Sequence, residues 1–200
     1  MSRYPIFTCL IIIAAIFLSS CSIEGFTNDY NKLSKSEKSL VHKMTCFDSL
    51  RPGEVYRINP VMLKEELSRH PKSLVSLYNV GCSSPSCPVV PTMTELAQFA
   101  DEHDCHLFLI MTNYIPIRYC PDIYSVSIPI YVIDNKYYRE IRRYKYERYF
   151  LNDMIGYPTF TKYKDIPEEY QFPRLFVFEG DSIVGVIKDL SDTHIIDQLP

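Results

Sequence analysis

Apolar positions along this chain recur with two periods, and their succession lays out the elements. "VYRIN", residues 55–59, alternates with Tyr56 and Ile58 on one side, which predicts a strand. "PVMLKEELSRH" follows; Pro60 suits a helix start, and Met62, Leu63 and Leu67 recur at helical spacing. "SLVSLYNV", residues 73–80, is apolar almost throughout and predicts a central strand covered on both faces. "TMTELAQFADEH" predicts a helix with Met93, Leu96, Ala97 and Ala100 on one face, and "CHLFLIMTN" a third buried strand. Residues 114–126 read as irregular, with Pro116 and Pro121, before a strand-like run in "IPIYVIDN". "KYYREIRRYKYERYFLNDMIG" predicts a long helix over 136–156, closed by Gly156. "FPRLFVFEGDSIVGVIKD" predicts a β-hairpin about an "EGDS" turn. "SDTHIIDQLP" predicts a short closing helix with Ser191 or Asp192 as its cap.

The order is therefore β-α-β-α-β, an insertion, then α-β-β-α. Strands separated by helices require parallel crossovers, and the hairpin adds antiparallel strands to the same sheet, so the fold class is α/β. Upstream, residues 22–45 are polar and rich in Ser, Lys and Asn. They read as a tether carrying a short helix in "SKSEKSLVHKM", with Ser34 or Ser36 as its cap.

A length of 200 residues suggests one domain plus appendages. The 46% hydrophobic and 22% charged fractions are ordinary for a globular protein, and the net charge of −3 argues against a general polyanion binder. The N-terminus changes the picture. "MSRYP" holds one arginine, "IFTCLIIIAAIFL" is apolar but short for a membrane span, and "LSSC" ends at Cys21. This arrangement resembles a bacterial lipoprotein signal, which implies cleavage before Cys21, lipidation of that cysteine, and a mature chain held on the periplasmic side of a membrane in the cell envelope. The alternative is an ordinary export signal cut at another small residue, with Cys21 incidental. The expected organisation is a signal peptide over 1–20, a tether and short helix over 21–52, and a domain over 53–200 with an insertion around 114–135. Of seven cysteines, Cys9 leaves with the signal and Cys21 carries lipid, so Cys46, Cys82, Cys87, Cys105 and Cys120 remain. Outside the cytosol disulfides persist, and an odd number leaves at least one thiol free or paired between molecules.

The candidate chemistry lies in "SLVSLYNVGCSSPSCPVVP", residues 73–91, where a buried strand runs into two cysteines. This stretch resembles the central strand and redox corner of thioredoxin-fold proteins, particularly membrane-tethered thiol-disulfide oxidoreductases of bacterial envelopes. "QFPRLFVFEGDSIVGVI" resembles that family's cis-proline strand and the hairpin after it. The resemblance covers residues 53–199 and implies a three-layer sandwich whose central mixed sheet has helices on both faces. It implies Cys82 as the attacking thiol and Cys87 as the resolving one, with Pro173 and Phe172 orienting a substrate strand. The partners implied are protein thiols or disulfides of the envelope. Three departures accompany it: four residues separate the cysteines instead of two, Gly81 replaces the usual tryptophan, and Ser76 stands where many members carry a buried carboxylate.

Thiolate stabilisation at a helix start activates a cysteine. Pro88 disfavours helical geometry at Cys87, so the helix begins either at Pro88, with Cys87 near its cap, or at Ser84, with Cys87 in its first turn. Two functional classes stay open: a lipid-anchored oxidoreductase, and a redox-inactive binding or scaffold module on the same fold.

Other features read more plainly. In "HDCH", His103 and His106 flank Cys105, but no second ligand cluster accompanies them, so no metal is expected and Cys105 reads as a buried small apolar residue. "KYYREIRRYKYERYF" interleaves cations with aromatics. In an exported, net acidic chain it reads as a solvated basic face, or one leaning on an anionic membrane, rather than a nucleic-acid surface. Cys120 is a candidate partner for Cys46. No phosphate loop or serine-histidine-acid set is present, and no cofactor is expected.

Overall fold

The computed structural model describes residues 26–78, 91–156 and 175–199. Seven strands form one mixed sheet: β1 (Val41–Lys43), β2 (Val55–Ile58), β3 (Lys72–Tyr78), β4 (His106–Met111), β5 (Ile130–Ile133), β6 (Leu175–Glu179) and β7 (Ser182–Ile187). The order across the sheet is β1-β2-β5-β4-β3-β6-β7. The first five are parallel, β6 runs antiparallel to β3, and β7 returns antiparallel to β6. The fold is thus α/β, as the alternation of elements predicts.

Five helices lie among the described residues: α1 (Lys35–Ser39), α2 (Pro60–Leu67), α3 (Met93–Glu102), α4 (Ile115–Tyr119) and α5 (Arg143–Ile155). Strand pleating divides the core between two faces. Leu74, Leu107, Leu109, Met111, Ile130 and Val132 pack with Met93, Leu96 and Phe99 of α3 and Ile117 of α4. Val75, Leu77, Phe108, Ile110, Tyr131 and Ile133 pack on the other side with Leu63 and Leu67 of α2 and with Tyr146, Phe150 and Met154 of α5. Crossovers of one hand explain this division. The chain passes from β2 to β3 in one direction across the sheet, then from β3 to β4 and β5 in the other. Reversing direction while keeping the hand moves the helices to the opposite face.

Several elements differ from the sequence reading. Ser34, not Ser36, caps α1, through a box in which Glu37 N–H donates to Ser34 Oγ and Ser34 N–H donates to Glu37 Oε2. The segment read as tether also supplies β1, a three-residue edge strand beside β2. The stretch read as irregular holds α4, started by Asn113 Oδ1 accepting from Ile115 N–H, and a 3-10 turn over Pro121–Tyr124. The strand that closes this insertion, β5, lies at the centre of the parallel sheet between β2 and β4.

The long helix forms only from Arg143. Over residues 136–142 the chain turns instead, with Arg139 at φ 52°. The Glu140 carboxylate accepts from the N–H groups of Ile141 and Arg142 and pairs with the Arg142 guanidinium, which fixes a turn where a helix would need those N–H groups directed along its axis. Gly156 closes the helix at φ 71° with N–H to Asn152 O, as expected. The terminal segment makes turns rather than a helix, because the Asp189 carboxylate takes both the N–H and the hydroxyl of Ser191. Ile196 is nevertheless buried. Among the described residues no helix is long and apolar enough to cross a membrane.

Candidate functional site

Cys82, Cys87, Phe172, Pro173 and Cys21, the residues singled out from sequence, all lie outside the described residues. What the structure places is the frame on either side of them. β3 ends at Tyr78, four residues before Cys82, and β6 begins at Leu175, two residues after Pro173. The antiparallel register pairs Ser76 with Leu175, so the end of β3 and the start of β6 meet at one edge of the sheet. Ser76 is buried, and pleating directs it to the same face as Leu74 and Tyr78, the face covered by α3.

The helix after the corner starts later than either sequence alternative. α3 begins at Met93, and Thr92 is its cap; Glu95 N–H donates to Thr92 Oγ1 at 3.1 Å and Thr92 N–H donates to Glu95 Oε2 at 2.7 Å. These bonds to Thr92 hold the Glu95 carboxyl below its usual range. Pro91 precedes the cap instead of sitting within the helix. A reciprocal box satisfies the first free N–H groups locally, and this favours Thr92 over the upstream prolines as the starting point. The positive end of α3 therefore lies five residues beyond Cys87 in sequence.

The same sheet edge holds a second set of polar groups that sequence reasoning missed. Helices leave β2 and β5 toward one face and β3 and β4 toward the other, so the change of face falls between β5 and β4, where open α/β sheets form a crevice. Here residues 26–30 fill it. Asn28 O accepts from Tyr114 N–H at 2.9 Å, Asn28 Nδ2 donates to Asn135 Oδ1 at 2.7 Å, and Arg143 N–H donates to Phe26 O at 2.9 Å. Beneath them Tyr146 Oη donates to Thr112 O at 2.6 Å, and Thr112 N–H donates to Tyr78 O at 3.1 Å. Arg57 Nε donates to Tyr114 Oη at 3.1 Å, its guanidinium over the Tyr30 ring. Each of these tyrosines occupies an apolar-looking position in the sequence, so only the partner's position in space reveals the polar contact.

At the opposite edge lies a cavity of about 210 Å³ lined by residues including Glu66, Cys105, His106 and Tyr131. His106 stacks on His70 with ring centroids 3.7 Å apart, and His70 Nε2 lies 3.3 Å from Glu66 Oε1. His106 is exposed as a residue, and the partial burial of its imidazole, followed by the charge of His70, pushes its pKa down to about 4. Stacked imidazoles direct their nitrogen lone pairs in parallel planes, so the pair does not converge on one ion. Among the described residues no group of three or more His, Cys, Asp or Glu side chains is arranged to hold a metal. Cys105 lies just before β4, half-buried, with its thiol donating to His103 O and its pKa raised by burial.

Cys46 and Cys120 are not joined by a disulfide. Cys120 packs against the cluster on the α3 face, whereas Phe47 and Leu50, beside Cys46, pack against the cluster on the other. Compared with known protein families, curated proteins and solved structures, the chain matches none.

Proposed function

We propose that this protein is an envelope lipoprotein, anchored through Cys21, whose thioredoxin-like domain exchanges dithiols and disulfides through Cys82 and Cys87. Its partners are protein thiols or disulfides of the envelope. One observation carries the reading: the strand leading to Cys82 and the strand leading from Pro173 meet at the same sheet edge, through the register pairing Ser76 with Leu175. A thiolate at Cys82 attacks a substrate disulfide, forming a mixed disulfide and releasing the substrate's other sulfur as a thiolate. Cys87 then attacks the Cys82 sulfur, which frees the reduced substrate and leaves a Cys82–Cys87 disulfide. Pro173 and Phe172 flank the incoming chain.

A second reading, a redox-inactive binding module, draws support from α3. Its first free N–H groups are satisfied by its own capping box, and Ser76 supplies no carboxylate for proton transfer. The test is the reduction potential of the pair together with insulin-reduction turnover. A potential above about −300 mV, turnover, and a mixed disulfide trapped by Cys87→Ser support exchange; a potential below about −300 mV with no turnover supports the binding module.

A further inference from the structure

Phe26, Ile141 and Tyr144 are 51%, 68% and 43% exposed, a high value for large apolar side chains. They are neighbours: the Phe26 and Tyr144 rings lie 6.4 Å apart, and the antiparallel Thr27–Arg142 bridge sets Phe26 opposite Arg143 and Ile141 opposite Asn28, so Phe26 and Ile141 lie diagonally across it. Exposed Tyr137 lies on the same connection between β5 and α5. This patch sits in the most basic stretch of an acidic chain, with six Lys and Arg against two Glu over residues 136–150. Lys136 and Arg139 are both exposed. An apolar cluster bordered by cations matches the boundary between acyl chains and anionic headgroups.

We infer that the Phe26–Ile141–Tyr144 face docks on the surface of a bilayer containing anionic phospholipid. The inference rests in part on the lipid anchor proposed above. Phe26 follows Cys21 by five residues, a span of at most about 18 Å even when fully extended. Residues 26–28 are bonded into the loop and helix start at 135–143, so an acylated Cys21 holds this face within reach of the membrane. The face borders the C-terminal edge of the parallel strands, the edge at which β3 ends, so docking brings that edge of the sheet toward the membrane. Substrates close to the bilayer are then favoured over freely soluble ones.

The chain contains no tryptophan, so a single Ile141→Trp substitution gives a unique probe in the full chain purified from membranes. In vesicles of phosphatidylglycerol and brominated phosphatidylcholine, its emission should shift to the blue and be quenched, and added salt should weaken both effects. Ser182→Trp, in the hairpin at the opposite sheet edge, should show neither. Lys136→Glu with Arg139→Glu should remove most of the dependence on phosphatidylglycerol. Unquenched Ile141→Trp on a chain whose Cys21 carries acyl groups by mass spectrometry overturns docking and leaves the anchor standing. A chain without acyl groups overturns the anchor, and quenching of that chain on phosphatidylglycerol vesicles then supports docking alone. Equal quenching on purely zwitterionic vesicles overturns the anionic preference. A concentration-dependent blue shift without vesicles assigns the face to contact between copies and overturns the inference.

Discussion

Removing one oxygen at Tyr146 tests how the sheet edge beneath residues 26–30 is held. Tyr146 is fully buried on α5, and its hydroxyl donates to Thr112 O at 2.6 Å, just past the end of β4. Tyr146→Phe keeps the ring and its packing but leaves the Thr112 carbonyl buried without that donor. An unsatisfied buried acceptor costs about 1–3 kcal/mol, against about 1 kcal/mol for a net hydrogen bond whose partners can return to water. The same substitution at Tyr124 is the control: its hydroxyl donates to Ile117 O at 3.2 Å, but the residue is 55% exposed and water can replace the bond. Tyr146→Phe should therefore destabilise by about 2 kcal/mol, roughly 4–8 °C in Tm for a domain of this size, and Tyr124→Phe by less than about 0.5 kcal/mol. Urea unfolding followed by far-ultraviolet circular dichroism reads both, and the slope against urea should be unchanged. Equal effects from the two variants would refute the reasoning, since burial is what separates them.

Two groups should give opposing pH dependences. Burial raises the Glu147 pKa to about 7, with Arg143 opposing, so the fold binds a proton more tightly than the unfolded chain; stability is fullest below pH 4.5 and falls as pH rises through 7. Burial depresses the His106 pKa from 6.5 to about 4, so its contribution is present above pH 6.5 and lost as pH falls through 4. Denaturant midpoints measured from pH 4 to 8 should rise with pH across that window for Glu147→Gln, gaining up to about 3 kcal/mol at the alkaline end, and fall for His106→Gln; unchanged profiles would contradict both assignments. A Cβ at Gly185 would lie 2.6 Å from Ile195 Cδ1 and 2.9 Å from its Cγ2, so Gly185→Ala should cost about 1 kcal/mol, and Ile195→Ala in the same chain should show favourable coupling in a double-mutant cycle. Thr92→Ala removes the α3 capping box and should cost about 1 kcal/mol in thermal unfolding; a neutral effect would place the functional start of the helix elsewhere.

The elements legible in the sequence are those whose burial writes itself into the residue pattern. β3 and β4 are covered on both faces and read as continuous apolar runs, while Tyr56 and Ile58 alternate onto one face as expected. α3 shows the limits of spacing alone: Ala97 packs partly buried against the core as the spacing favoured, and Phe99 is buried as well, because the larger ring reaches the core from the margin of the apolar stripe. β1 was not legible, since three residues at a sheet edge carry no period. The central position of β5 was hidden for a different reason: strand order depends on which neighbours a crossover spans, and no local pattern encodes it. The break before α5 depends on one carboxylate, Glu140, folding back on its neighbours within a stretch whose composition is otherwise helical.

For the candidate site the same division has a chemical consequence. The sequence located a strand, two cysteines and a helix in order, and the structure brings the end of β3, the start of β6 and the residues 26–28 strap to one side of the sheet. Fourteen residues separate Tyr78 from Met93, however, and α3 satisfies its own first N–H groups through Thr92 and Glu95. If the Cys82–Cys87 pair exchanges disulfides, two sources can stabilise its thiolate: backbone N–H groups, or the field of the chain's cations. These two sources separate experimentally: raising salt should raise the pKa of the attacking thiol, read as the pH dependence of iodoacetamide alkylation, if the Lys and Arg of residues 136–145 supply the field. A salt-independent pKa that is still well below the ordinary thiol value would place the stabilisation in backbone N–H groups, and an ordinary pKa at any salt would leave the binding-module reading as the better account of these two cysteines.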